Sequence, residues 1–135
     1  MPKVFPHQTE IRVRYSETDK MGRAYHSHYL VWFDIARTKF LEDKGFSYAK
    51  LEEKGIFLVV VEANCKYIGP AKFDDLVIIN TSISNVGKAS IEFIYEAKRK
   101  QTDKLLATGY TKLACLNKNE KPMAIPDKIR SSLKL

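Results

Sequence analysis

The sequence predicts an α+β fold in which one antiparallel sheet wraps around a single long central helix. Residues 26–44 have helical periodicity, with an apolar arc too broad for a helix packed on one side only. Four later stretches alternate apolar and polar residues over strand-like lengths. The connections between the last three are short, which suits antiparallel hairpins. With one helix and one extended sheet, both apolar faces are buried together when the helix lies across the concave side of the sheet.

The elements follow in order. Ile11, Val13 and Tyr15 alternate with Arg12 and Arg14, the mark of a strand with one buried face. A loop, residues 16–24, then leads into the long helix. There Tyr29, Phe33, Ala36 and Phe40 form one stripe, widened by Leu30, Val31, Trp32, Ile35 and Leu41. A helix so striped is expected to be covered on nearly all sides. Ser27 is the expected N-cap and Gly45 the left-handed stop. A short helix over 47–54 ends at Gly55.

Strands are expected over 57–68, 76–86, 89–100 and 105–116. In the first of these, Val59, Val61, Ala63, Cys65 and Tyr67 fall on one face, with Glu62, Asn64 and Lys66 on the other. A helical turn from Asp127 closes the chain. The strand over 57–68 is long and rich in valine, an aggregation hazard if its edge were left bare. It is therefore expected to pair with its copy in a homodimer.

Size and composition narrow the function classes. At 135 residues the chain reads as one domain, 1–135, large enough to bury a core without a disulfide or structural metal. Its apolar content of 44% is that of a globular protein, and no apolar run reaches the roughly 20 residues that span a bilayer. The start of the chain lacks the apolar stretch of a secretory leader, so a cytoplasmic location is expected. Cys65 and Cys115 lie in alternating apolar stretches and read as small core hydrophobes. The net charge of +7 favours anionic partners, but the basic residues are dispersed and carry no nucleic-acid recognition motif.

The chemistry gathers in residues 15–29, where Asp19, Gly22, Tyr25, His26 and His28 crowd the entry to the helix. His26-x-His28 with Asp19 offers metal-like ligand types, but histidines so spaced at a helix start diverge, and no metal is expected. Ser16, Asp19 and His26 hold the letters of a hydrolytic triad, yet one short loop rarely assembles one. Glu17 reads as a solvated loop acid. Asp19 can cap a turn before Gly22, and His26 can be an ordinary cap; spacing alone leaves those readings open beside a catalytic one.

Two motifs in sequence go further. Thr18-Asp19, Gly22, Tyr25-His26 and Tyr29 resemble the opening motif of hot-dog acyl-CoA thioesterases, in the branch of 4-hydroxybenzoyl-CoA thioesterase and the Tol-Pal-associated acyl-CoA thioesterase. Tyr67-Ile68-Gly69-Pro70-Ala71 with Asp74-Asp75-Leu76 is similar to that branch's second motif, and 86–90 to its third strand turn. The resemblance covers about residues 8–125 and implies the hot-dog fold and hydrolysis of an acyl-CoA thioester, with no cofactor. It implies that Asp19 is the catalytic carboxylate, as nucleophile or general base. It implies that His26 contributes its backbone amide to the thioester oxygen and matches a histidine that assists catalysis. Gly22 and Tyr25 would shape the substrate pocket, and Lys88 and Ser90 are candidates to meet the phosphates of coenzyme A. His28 stands where relatives often carry Asn and receives no catalytic role.

The superfamily adds a homotetramer to the homodimer expected from the 57–68 edge. The dispersed charge and short apolar runs lead us to expect no nucleic-acid partner and no integral membrane association. The alternatives are an acyl-carrier-protein thioesterase, a hot-dog hydratase and a non-catalytic acyl-CoA-binding module. The hydratases carry an Asp-x-Asn-Pro-x-His motif, whereas Asp19 is followed by Lys20-Met21-Gly22.

The chemistry also stands without the family name. A thioester carbonyl is already electrophilic; it needs a nucleophile or base and a donor for the developing oxyanion. A helix N-terminus supplies that donor from its unpaired N–H groups.

Overall fold

The structure is a computed structural model that describes residues 5–133. In chain order the elements are β1 (His7–Arg12), α1 (His28–Asp43), α2 (Tyr48–Glu53), β2 (Phe57–Tyr67), β3 (Leu76–Val86), β4 (Ser90–Arg99), β5 (Leu105–Leu116) and α3 (Asp127–Ser132). The five strands form one antiparallel sheet in the order β1-β3-β4-β5-β2. Helix α1 lies against it, as the sequence predicts, and the expected strands and hairpins are present.

Period sets the buried faces. On β3, Val77, Ile79, Thr81 and Ile83 are buried; on β4, Ile91, Phe93, Tyr95 and Ala97; on β5, Thr111, Leu113 and Cys115. On α1 the buried set is Tyr29, Trp32, Phe33, Ala36, Arg37, Phe40 and Leu41, the spacing of one helical face. Phe33 stacks on Tyr95 at 4.5 Å between ring centroids, and it lies over Gly109 of β5. A Cβ at Gly109 would come within 2.2 Å of the Phe33 ring. The missing side chain is what lets the helix approach the sheet here.

Four expectations need correction. The first strand ends at Arg12, and Tyr15 does not join its buried face; Tyr15 sits in a 3-10 turn, Tyr15–Glu17, and is 78% exposed. Helix α1 begins at His28 rather than 26; Ser27 is its N-cap, but in helical φ/ψ and with no side-chain capping bond. Nor is α1 covered on nearly all sides, since Leu30, Val31 and Ile35 face outward in the single chain. Its inner stripe alone meets the sheet. Finally, the strict alternation expected along β2 is broken by a bulge between Val60 and Glu62, which shifts the phase of the strand. Val59, Val60 and Val61 are all exposed on what is an edge strand.

Candidate active site

The site is built by the connection from β1 to α1. Backbone bonds continue past β1, where Val13 N–H donates to Asp75 and Asp74 N–H to Val13, so the connection leaves the sheet at a fixed point. The 3-10 turn then carries Glu17 inward. Glu17 is only 3% exposed, which overturns its reading as a solvated acid. One carboxylate oxygen accepts the Arg14 N–H at 2.8 Å, and the other accepts the Trp32 indole N–H at 2.9 Å. Its carbonyl accepts the Tyr25 N–H at 2.8 Å. Burial by itself disfavours the charge. The bonds from Arg14 and Trp32, with the Arg14 guanidinium, outweigh that and hold the carboxyl below its usual range. Glu17 thus ties both ends of the loop to α1.

Beyond Glu17 the chain makes a tight turn. Thr18 bridges Ala24, Asp19 N–H donates to Arg23, and Gly22 N–H returns to Asp19. Gly22 closes the turn with φ +73°, a conformation that L side chains seldom adopt. The turn lies against residues 70–73, through Ala24 N–H to Ala71 and Phe73 N–H to Gly22. Within it, Oδ1 of Asp19 accepts from Met21 N–H at 2.8 Å and Arg23 N–H at 3.3 Å. The turn-capping reading of Asp19 is therefore correct as far as it goes. Oδ2 has no protein partner among the described residues, so one oxygen orients the carboxylate while the other is left available.

The helix entry is open in the same way. His28 N–H donates to Tyr25, but the N–H groups of His26 and Ser27 find no acceptor among the described residues. The Ser27 N–H is thus an unpaired donor at the N-cap of α1, its positive end, and the His26 N–H immediately precedes it. The His26 ring is exposed and lies 4.3 Å from the Tyr25 ring. His28 is the first residue of the helix proper.

These groups share one cleft of about 380 Å³. Asp19, Arg23, Tyr25 and His26 line one side, and Tyr67 to Pro70 the other, with Tyr29 between them. Of the residues singled out in the sequence, Asp19, Tyr25 and His26 line the cleft, and Gly22 forms the turn beside it. Lys88 and Ser90 are elsewhere in the protomer. They flank the β3–β4 turn, where Ile125 N–H and Arg130 bind the Lys88 carbonyl, and β3 separates them from the cleft by about 35 Å of strand. Arg23, Tyr29 and Tyr67 also line the cleft. Tyr67 stands in the second motif, but nothing in its spacing announces that its hydroxyl reaches the helix entry. Among the described residues no three acids, histidines or cysteines gather as a metal site.

The comparisons with known proteins agree with this geometry. The family model described as "Thioesterase-like superfamily" matches residues 13–133. The acyl-CoA thioesterase YbgC of Haemophilus influenzae is 33% identical over 124 residues, which is 90% of each chain. YneP of Bacillus subtilis is 42% identical over 76 residues, 56% of this chain and 55% of its own length. A Thermus thermophilus protein, TT1821, has a crystal structure similar to this one with a TM-score of 0.89 and 36% identity, covering 94% of this chain and 96% of its own. With the motifs, the fold and these matches in agreement, the chain belongs to the thioesterase-like superfamily, with the hot-dog arrangement of sheet and helix.

Proposed function

We propose that this protein hydrolyses an acyl-CoA thioester to a carboxylic acid and free coenzyme A, with Asp19 as the reacting carboxylate. The observation that carries the reading is a half-satisfied carboxylate sharing a cleft with the entry to α1, where the N–H groups of His26 and Ser27 have no acceptor among the described residues. The thioester carbonyl lies with its oxygen toward the His26 N–H. Oδ2 of Asp19 either attacks the carbonyl carbon or takes a proton from a water that does so. The tetrahedral oxyanion that forms is held by the amide and collapses with departure of the thiolate. On the water route this gives the acid at once, and the proton held by Asp19 passes to the thiolate. Direct attack instead leaves an anhydride on Asp19 that a water then hydrolyses, supplying the hydroxyl of the acid and the proton of the thiol. The turn-forming N–H groups on Oδ1 fix the carboxylate's direction before substrate arrives, so little reorganisation is left for the reaction itself.

We propose further that the protein works as a homodimer paired along β2. Among the described residues that edge has no partner strand, and Val59, Val60 and Val61 are 38, 46 and 57% exposed along it. Sedimentation at micromolar concentration is expected to give at least twice the mass of one chain. The two free cysteines suit a reducing cytoplasm, where acyl-CoA is made and used.

The test is release of free thiol from a panel of short, long, branched and aromatic acyl-CoAs, with acyl carrier protein as a second carrier. Release is expected with some acyl group, and Asp19→Asn is expected to remove it. No release from any member, or loss of an enoyl-CoA absorbance without thiol, would overturn the thioesterase reading.

A further inference from the structure

We infer that Tyr67 is a positioning residue for the oxyanion donors: its hydroxyl clamps the His26–Ser27 peptide and so aims the Ser27 N–H, a second donor beside that of His26. This rests on the thioesterase reading above and adds to it a residue from β2 that never needs to touch the reacting atoms.

The Tyr67 hydroxyl donates to the His26 carbonyl at 2.8 Å, across 41 residues of sequence. Its ring is located from two sides, edge-on to Tyr29 at 5.3 Å and to His26 at 6.2 Å between centroids. Among the described residues, outside regular helix bonding, the other donor to that carbonyl is the Tyr29 N–H at 3.4 Å, a long contact. The phenol is therefore the firmer of the two restraints.

The peptide bond makes that restraint matter. A trans peptide is planar, and its C=O and N–H point in opposite directions. Holding the oxygen of His26 thus holds the direction of the Ser27 N–H, which emerges on the N-terminal side of α1, where its donor is unpaired. A hydrogen bond accepted by the carbonyl also polarises the amide and makes its N–H a better donor. Burial and the nearby Cys65 thiol push the Tyr67 phenol up to about 12, so it remains a protonated donor through the neutral pH range.

A purely structural tie between β2 and α1 would use the same bond, so the test must separate the two. Tyr67→Phe keeps the ring contacts and removes only the hydroxyl. With an acyl-CoA that the wild-type protein hydrolyses, kcat is expected to fall about tenfold, a part of the hundredfold or more that a whole oxyanion donor is worth, while KM stays within twofold. The amide nitrogen resonance of Ser27 is expected to move by more than its linewidth, because that shift responds to hydrogen bonding at the preceding carbonyl. An unchanged kcat overturns the inference, as does a raised KM at unchanged kcat or an unmoved Ser27 resonance. A wild-type protein inactive on every acyl thioester would overturn the thioesterase reading instead, and the Ser27 resonance would still decide whether the clamp exists.

Discussion

Glu17 and Asp19 stand two residues apart in one loop, and their surroundings are opposite. Both oxygens of Glu17 are bonded inside the protein, to Arg14 and to Trp32. Asp19 is exposed, with one oxygen bonded and one free. The first carboxylate is part of the core and holds the loop on the helix. The second is held by that loop. A preorganised site needs both, because a reactive group left half-satisfied has to be oriented by something that is fully satisfied.

The difference can be broken from either side. The largest stability effect is expected for Glu17→Ala, which strands the buried Trp32 indole N–H, removes the part-buried bond to Arg14 and leaves a gap beside the helix. With about 1–3 kcal/mol for the stranded donor and the gap added to it, chemical denaturation should show a loss of at least about 2 kcal/mol. Next comes Gly109→Ala, which drives a methyl into the Phe33 ring and should cost about 1–3 kcal/mol in the same assay. Neither change removes a group from the cleft. On the open side, Gly22→Ala forces an alanine to φ +73°, although space around it is free. It should cost only about 1 kcal/mol of stability, while lowering thiol release by more than that loss accounts for, because the turn aims Asp19.

The smallest effect is one of pH. Because the folded Glu17 carboxyl lies below its ordinary value of 4.5, its charge adds stability above that pH, and the contribution is lost as pH falls through the folded value. The stability gap between wild type and Glu17→Gln should accordingly be widest at neutral pH and narrow below about pH 4.5. A gap that widens on acidification would mean that Glu17 is buried in its neutral form.

Much of this was legible in the sequence, and the unread part has physical causes. The strands β3 and β5 match their expected bounds to the residue, since two-residue periodicity over long hairpins leaves little freedom of register. The α1 stripe was equally clear, but its breadth was misread. Leu30, Val31 and Ile35 widen the arc, yet they are exposed, and apolar character by itself does not say on which side of the helix the sheet lies. Of the cleft, Asp19, Gly22, Tyr25 and His26 came from one local motif, where sequence neighbours are also spatial neighbours. Glu17 was missed because its partner Trp32 lies 15 residues on, inside the helix. The available clue was a tryptophan on the buried stripe whose N–H needed an acceptor. The Tyr67 bond to His26 spans 41 residues and leaves no periodic trace at all. Lys88 and Ser90 come from a turn that matches a motif at the other end of β3, and their part in binding coenzyme A remains a proposal.

In the proposed mechanism Asp19 supplies the chemistry and Glu17 the structure. That division is read out by the rate of thiol release of Asp19→Asn beside its melting curve. The rate is expected to fall at least about a hundredfold below wild type, with a melting temperature within a few degrees of it. A variant that melts normally and keeps more than a tenth of the wild-type rate would remove Asp19 from the chemistry.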